Sequence, residues 1–458
     1  MTDPALLELL NITRDQYLDG RVGAAIEGLM RLEKLACHDH LLLQQIAEMF
    51  VQCGQHQDAE RCYARSVELQ PSNPDYLYNL GASKTALGEF EEAEELFTRA
   101  IKFNPKDYGA WLNRSGLKKQ TPKSNHVDQL KFVRSRLNRN EPGMVQVCYA
   151  LAKELEDLRN YDEAFQFLQE GAHLRRLGMQ YDVQEDELVM AKIAQRFGAG
   201  QHGTTSNGQE SDRPVFILGL PRSGTTLIDR IVSAHSHVGS LGEHNTLPLA
   251  LLTMTTVEGD PPPGKEELVD RSAAIDFGEL GRKYCESIDG FGNPSPRLID
   301  KTPLNFLYIG LIHLALPNAK IIHLRRHPVD VCYAMYKTLF RAGYPFSYSL
   351  QEVGRYFIAY HRLMSHWRSL IPNAFLDVDY ENMIVDQEGQ TRRILDYLEL
   401  DWEDGCLDFH QHQGPAATAS AAQVRQPIYS SSVGLWRKYQ QQLMPFTARL
   451  KEHGISID

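Results

Sequence analysis

The chain has 458 residues, 42% of them apolar and 23% charged, which is enough for two or three ordinary domains with cores of their own. Its formal charge of −11 speaks against a general polyanion-binding role, and so against nucleic acid as a partner, while leaving room for a local basic pocket. No run approaches the ~20 apolar residues of a bilayer span, the start Met1-Thr2-Asp3-Pro4 lacks a secretory pattern, and the seven cysteines include no C-x-x-C pair, so a cytoplasmic protein without structural zinc is expected.

The first half repeats itself. Gly20, Gly54 and Gly88 are each 34 residues apart, as are Ala25, Ala59 and Ala93, and as are Pro71 and Pro105. Within residues 74–107, Leu77, Leu80, Gly81, Ala93, Phe97, Ala100 and Pro105 fall at spacings that resemble the tetratricopeptide repeat. The block 40–73 repeats the pattern, and the block 6–39 does so more weakly, with Cys37 where the proline belongs. After an irregular stretch, Cys148, Leu151, Ala152, Ala164 and Leu168 fit a further unit. One such helix pair cannot bury its own apolar face, so several must stack. The expectation is an all-α repeat domain over 1–197, able to hold a peptide or protein partner. A Gly/Ser/Thr/Asn-rich linker is expected at 198–212, and a second domain over 213–458.

The second domain opens with Pro214-Val215-Phe216-Ile217-Leu218-Gly219, a short apolar run that reads as a strand buried on both faces. The loop Gly219-Leu220-Pro221-Arg222-Ser223-Gly224-Thr225-Thr226 follows, and then Leu227, Ile228, Ile231, Val232 and Ala234 at helical spacing. Strand, glycine-bounded loop and helix N-terminus are the parts of a phosphate cradle. Compared with the loop of nucleotide triphosphatases, Gly219, Gly224 and Thr226 fit, but Thr225 stands where the lysine belongs. That lysine manages the charge of a triphosphate, so its loss argues against an ATPase or kinase. The positive charge has moved inside the loop, to Arg222. The fold expected here is P-loop-like α/β with a parallel sheet.

These residues resemble the sulfotransferase superfamily. The run Pro221–Thr226 is similar to its 5′-phosphosulfate loop, which assigns Arg222, Ser223, Gly224, Thr225 and Thr226 to the 5′-phosphate of 3′-phosphoadenosine-5′-phosphosulfate. The run Leu324-Arg325-Arg326-His327-Pro328-Val329-Asp330-Val331 resembles its 3′-phosphate segment, with Lys320–Leu324 as the strand before it. Aligned on Asp330, the family arginine is Arg326, whereas the family serine is replaced by Ala334. Near the C-terminus, Gln423–Tyr429 and Ser432–Arg437 resemble a nucleotide-covering segment. Leu435 replaces a basic residue there, which leaves Arg425 or Arg437 to supply charge. The order of the two halves resembles bacterial tetratricopeptide-repeat sulfotransferases, and the second half is similar to protein-tyrosine sulfotransferases.

What the resemblance implies for the chemistry is transfer of a sulfuryl group to a hydroxyl or phenol, on a peptide among other acceptors, without a metal. Glu243, in Gly242-Glu243, stands where protein-tyrosine sulfotransferases carry their catalytic glutamate, with His244 as a rival base. Lys301, in Asp300-Lys301-Thr302-Pro303, is similar to the family lysine that neutralises charge on the transferred group. Tyr380 matches a cofactor-side tyrosine. His410 and His412 lack a cysteine or carboxylate set and read as ordinary polar residues. Two other classes stay open: a P-loop kinase, and a nucleotide-binding repeat adaptor without catalysis, to which Ala334 and Leu435 lend weight.

Overall fold

A computed structural model describes residues 3–198, 207–257, 259–341, 343–411 and 423–457. Most of the linker expected at 198–212, and His412, lie outside these residues. Among them no helix is long and apolar enough to cross a membrane.

The repeat period becomes helix pairs. They are α1 (Pro4–Leu18) with α2 (Val22–Leu35), α3 (His40–Gln52) with α4 (His56–Leu69), and α5 (Pro74–Leu87) with α6 (Phe90–Phe103). Next come α7 (Tyr108–Gly116), α8 (Val127–Ser135), α9 (Gly143–Asp157), α10 (Tyr161–Leu177) and α11 (Val183–Arg196). Gly20, Gly54 and Gly88 turn the chain between the two helices of a pair with φ of +78°, +74° and +88°. That left-handed backbone is open to glycine at no steric cost, which explains the recurrence of the residue. The stretch read as irregular contains a shortened unit. Trp111 lies 34 residues beyond Leu77 and is buried like it, but α7 stops at Gly116 and an insertion delays α8.

The second half is built on five parallel strands: β1 (Pro214–Gly219), β2 (Val238–Ser240), β3 (Arg297–Asp300), β4 (Lys320–Arg325) and β5 (Leu376–Asp379). Their order is β2-β3-β1-β4-β5. In the register Phe216 lies beside Asp300 and Ile321, and Gly219 beside Leu324. Alternation along β1 serves two cores: Val215 and Ile217 pack with Ile228, Ile231 and Ile322, whereas Phe216 and Leu218 pack with Tyr284, Leu298 and Ile321. A strand covered on both faces must be apolar throughout, and β1 is. The helical spacing after the loop runs to Ala234. α12 (Thr225–Ser233) ends just before it, and Val238–Ser240 becomes the edge strand.

The repeats dock onto this sheet domain by their turns. Ser287 Oγ donates to Gly20 O at 3.2 Å, Gly54 lies against Leu241 O, and Gly88 against the Arg425 side chain. At the far end, Glu156 of α9 accepts from Lys337 Nζ (2.6 Å), Tyr333 Oη (2.9 Å) and Tyr439 Oη (2.8 Å). Burial alone would raise the Glu156 pKa, but Lys337 and the two phenols outweigh it and hold the carboxylate below its usual range. Its stabilising effect is therefore present above the ordinary glutamate range and is lost as pH falls through the lowered folded-state value. Glu156→Ala strands three polar partners at about 1–3 kcal/mol each if buried. A calorimetric melting temperature lowered by several degrees is expected; no change would mean that apolar packing alone joins the halves.

Candidate active site

Parallel strands bring their C-terminal ends to one edge, where the loops that follow form a crevice. Each of the five strands delivers a residue singled out above. β1 runs into the loop of Arg222, β2 leads to Glu243, β3 to Lys301, β4 to Arg326 and β5 to Tyr380. Arg222, Gly224, Thr225, Thr226, Glu243, Arg326 and Tyr380 line one cavity of about 970 Å³.

The cradle is tightly built. Gly219, Arg222 and Gly224 have φ of +145°, +68° and +109°, so the loop reverses sharply before Thr225 begins α12. An arginine in left-handed backbone is strained, and that conformation is held where a fixed side-chain direction matters. Arg222 Nη2 donates to Gln423 Oε1 at 2.8 Å. Arg326 donates to Arg222 O at 3.1 Å and Ser432 O at 2.8 Å, with its guanidinium 4.6 Å from the centre of the Tyr380 ring. Tyr380 Oη and Ser432 Oγ share a 3.0 Å hydrogen bond. A Cβ on Gly224 would lie 2.6 Å from the Tyr380 ring, so glycine lets the loop and the aromatic meet. Burial, and then repulsion from Arg326, bring the Arg222 pKa down to about 10. Ser223 Oγ and Arg326 Nε are buried without hydrogen-bond partners among the described residues. Two arginines driven together beside such atoms form a site that fits an anion with several oxygens.

The second cluster is a lysine–carboxylate pair. Lys301 is 1% exposed, and its Nζ donates to Glu243 Oε1 at 2.5 Å, while the Glu243 side chain is 42% exposed to the cavity. Lys301 N donates to Gly242 O at 3.0 Å, tying β3 to the loop after β2. Asp229 of α12 lies near both charges; burial raises its pKa, against the pull of Lys301. His244 is turned away from the cavity. Its Nδ1 meets Thr246 Oγ1 at 2.8 Å, its Nε2 lies 3.4 Å from Asp300, and it is buried.

Residues 214–404 match the family model described as sulfotransferase family, and residues 39–106 and 145–175 match tetratricopeptide-repeat models. Residues 214–404 form a sulfotransferase-family domain. An uncharacterized protein of Aquifex aeolicus is 31% identical over 398 residues, covering 83% of this chain and 51% of that protein. The chain thus spans about half the length of that relative. A putative protein-tyrosine sulfotransferase of Caenorhabditis briggsae is 26% identical over 233 residues, 48% of this chain and 80% of that protein. A solved sulfotransferase domain from the curacin biosynthetic pathway aligns at 16% identity and a TM-score of 0.39, over 55% of this chain and all of that one.

Not every residue expected at the donor side of the sulfotransferase domain comes to it. Arg425 lies apart, its Nη2 donating to Ala86 O at the end of α5 at 3.0 Å. Arg437 stacks over Trp436, 5.3 Å from its ring centre. Trp436 in turn stacks on His327, and Asp330 accepts from the amides of Gly434 (2.7 Å) and Trp436 (3.3 Å). The C-terminal segment is therefore pinned by Asp330, and Ser432 reaches the site that way. Ser432 and Gln423 were not singled out from sequence; only their position in the covering segment pointed to them. Ala334 is buried in the helix Pro328–Tyr336.

Proposed function

We propose that this chain is a sulfotransferase that moves the sulfuryl group of 3′-phosphoadenosine-5′-phosphosulfate to a hydroxyl or phenol, with a peptide side chain the first acceptor class to test. The observation that carries this reading is one cavity lined by both a two-arginine anion cradle and Glu243, whose carboxylate the buried Lys301 holds. Bound there, the donor supplies an activated sulfuryl group and a nucleotide phosphate as leaving group. Arg222, Ser223, Gly224, Thr225 and Thr226 hold its 5′ end by backbone N–H groups, hydroxyls and the α12 dipole. Arg326, Ser432 and Tyr380 hold its 3′-phosphate side.

Glu243 takes the proton of the acceptor hydroxyl as the new O–S bond forms and the bond from sulfur to the phosphate oxygen breaks. Lys301 has three N–H donors; one orients Glu243, and the others meet negative charge developing on the transferred group and the leaving oxygen. Charge compensation from Arg222, Lys301 and a helix terminus requires no ion, and Thr225 replaces the lysine of triphosphate-using loops. Transfer of labelled sulfuryl group should therefore run undiminished in excess EDTA. Activity lost on chelation and restored by Mg²⁺ would instead point to a triphosphate-using enzyme.

A further inference from the structure

The covering segment faces two ways. Residues 423–429 line the cavity that Arg222 and Arg326 line, with the exception of Arg425. The Arg425 side chain turns to the repeats instead, and its Nη2 donates to Ala86 O at 3.0 Å. Ala86 lies in the last turn of α5 (Pro74–Leu87), where carbonyl oxygens lack a partner within the helix and the helix dipole favours a cation. The approach is close, since Gly88, with φ of +88°, leaves no room for a Cβ beside the guanidinium. The charged groups around Arg425 are Arg230 of α12, which repels it, and Glu89 of the turn after α5, which attracts it. Val424 is 5% exposed, so the backbone that joins Arg425 to Gln423 is packed down.

Gln423 points the other way, into the donor cavity, and its Oε1 accepts from Arg222 Nη2 at 2.8 Å. Arg222 is a side chain that needs holding. Arg326 repels it, and its own left-handed backbone fixes only where the side chain begins. A guanidinium carries its N–H donors in one plane. An acceptor on one of them sets that plane and leaves others aimed at a phosphate. The Gln423 amide oxygen is such an acceptor, and because the amide is neutral it adds no negative charge to compete with the phosphate. The contacts therefore run in order from the end of α5 to Arg425, through the chain to Gln423, and from Gln423 to Arg222.

We infer that Arg425 is a positioning residue of the donor site: anchored on the C-terminal end of α5, it holds Gln423 against Arg222, so the repeat array sets the direction of the guanidinium that meets the 5′-phosphate. The inference rests on the sulfotransferase reading and adds the repeats to its donor site. Its test uses the full chain and calorimetric titration with 3′-phosphoadenosine 5′-phosphate and with AMP, which share the 5′-phosphate and differ in the 3′-phosphate. Arg425→Met and Gln423→Ala should each raise both Kd values about tenfold, the worth of a hydrogen bond to a charged group, and by the same factor for the two nucleotides. The double variant should bind no worse than either single one, because the second substitution removes a link already cut. Melting temperatures report that each variant is folded. Should Arg425→Met fail to fold, the cycle is run with Arg425→Gln, which stays polar but is too short to reach Ala86 O. Unchanged affinities, a loss confined to 3′-phosphoadenosine 5′-phosphate, or losses that add in the double variant each overturn the inference and leave the sulfotransferase reading standing. A wild-type chain that binds neither nucleotide overturns both.

Discussion

Glu243→Gln should lower turnover by about 10²–10⁴-fold, the range expected for losing a general base. Binding of 3′-phosphoadenosine 5′-phosphate should stay near normal, because Glu243 belongs to the Lys301 pair and not to the arginine cluster. Glutamine keeps the shape and can still accept from Lys301 Nζ, so what the variant removes is the negative charge and the capacity to take a proton. The rival base, His244, is occupied elsewhere: its ring is buried between Thr246 and Asp300. His244→Ala should accordingly act through stability, with a lowered melting temperature, more than through turnover. Full activity in Glu243→Gln together with an inactive but folded His244→Ala would transfer the role to the histidine.

The second large effect concerns the arginines. Arg222→Ala and Arg326→Ala should each weaken nucleotide binding by about 1.5–3 kcal/mol, the worth of a charge-assisted contact to phosphate, or roughly 10–150-fold in Kd. Arg326 is assigned to the 3′-phosphate, so its loss should cost binding of 3′-phosphoadenosine 5′-phosphate more than binding of AMP. Equal losses in calorimetric titrations would refute that assignment. A second reading comes from the same variant without ligand. The two guanidinium groups repel each other, which adds to burial in lowering the Arg222 pKa. Removing Arg326 relieves that repulsion but also removes its hydrogen bonds to Arg222 O and Ser432 O, so the two effects oppose each other and the melting temperature of the free protein should change less than nucleotide binding does.

The parts of the fold that were legible in the sequence are those set by local physics. A left-handed turn selects glycine, hence Gly20, Gly54 and Gly88 at one period. A strand covered on both faces must be apolar, hence Val215–Leu218. The strand ending at Leu324 could be read because it is followed by Arg326, which a known motif expects. β2 could not be read, since Val238-Gly239-Ser240 is too short to show alternation and is held by its pairing with β3. The α7 unit was hidden because its helix is cut short, although Trp111 keeps the period. In the candidate site, the cradle and the Lys301–Glu243 pair follow from residues close in sequence to strand ends. Arg425 was assigned to the donor by the resemblance of its segment to a nucleotide-covering one, yet its side chain meets Ala86 O, 339 residues away. The share of the repeats in the cavity was out of reach for the same reason: Asn79 and Glu243 line it together only because two domains dock, and nothing in the neighbourhood of either residue encodes that.

The array is fastened at both ends, through Gly20 to Ser287 and through Glu156 to Lys337. A free-standing solenoid can gain or lose units and simply become longer or shorter, because each unit touches only its neighbours. Here the number of units is a measured span. Deleting one 34-residue block, or adding one, would shift one fastening by a whole helix pair and leave Ser287 or Lys337 facing the wrong turn. The same repeat that drifts freely in copy number when it serves as a scaffold is, in this protein, held to a fixed count by the gap it closes.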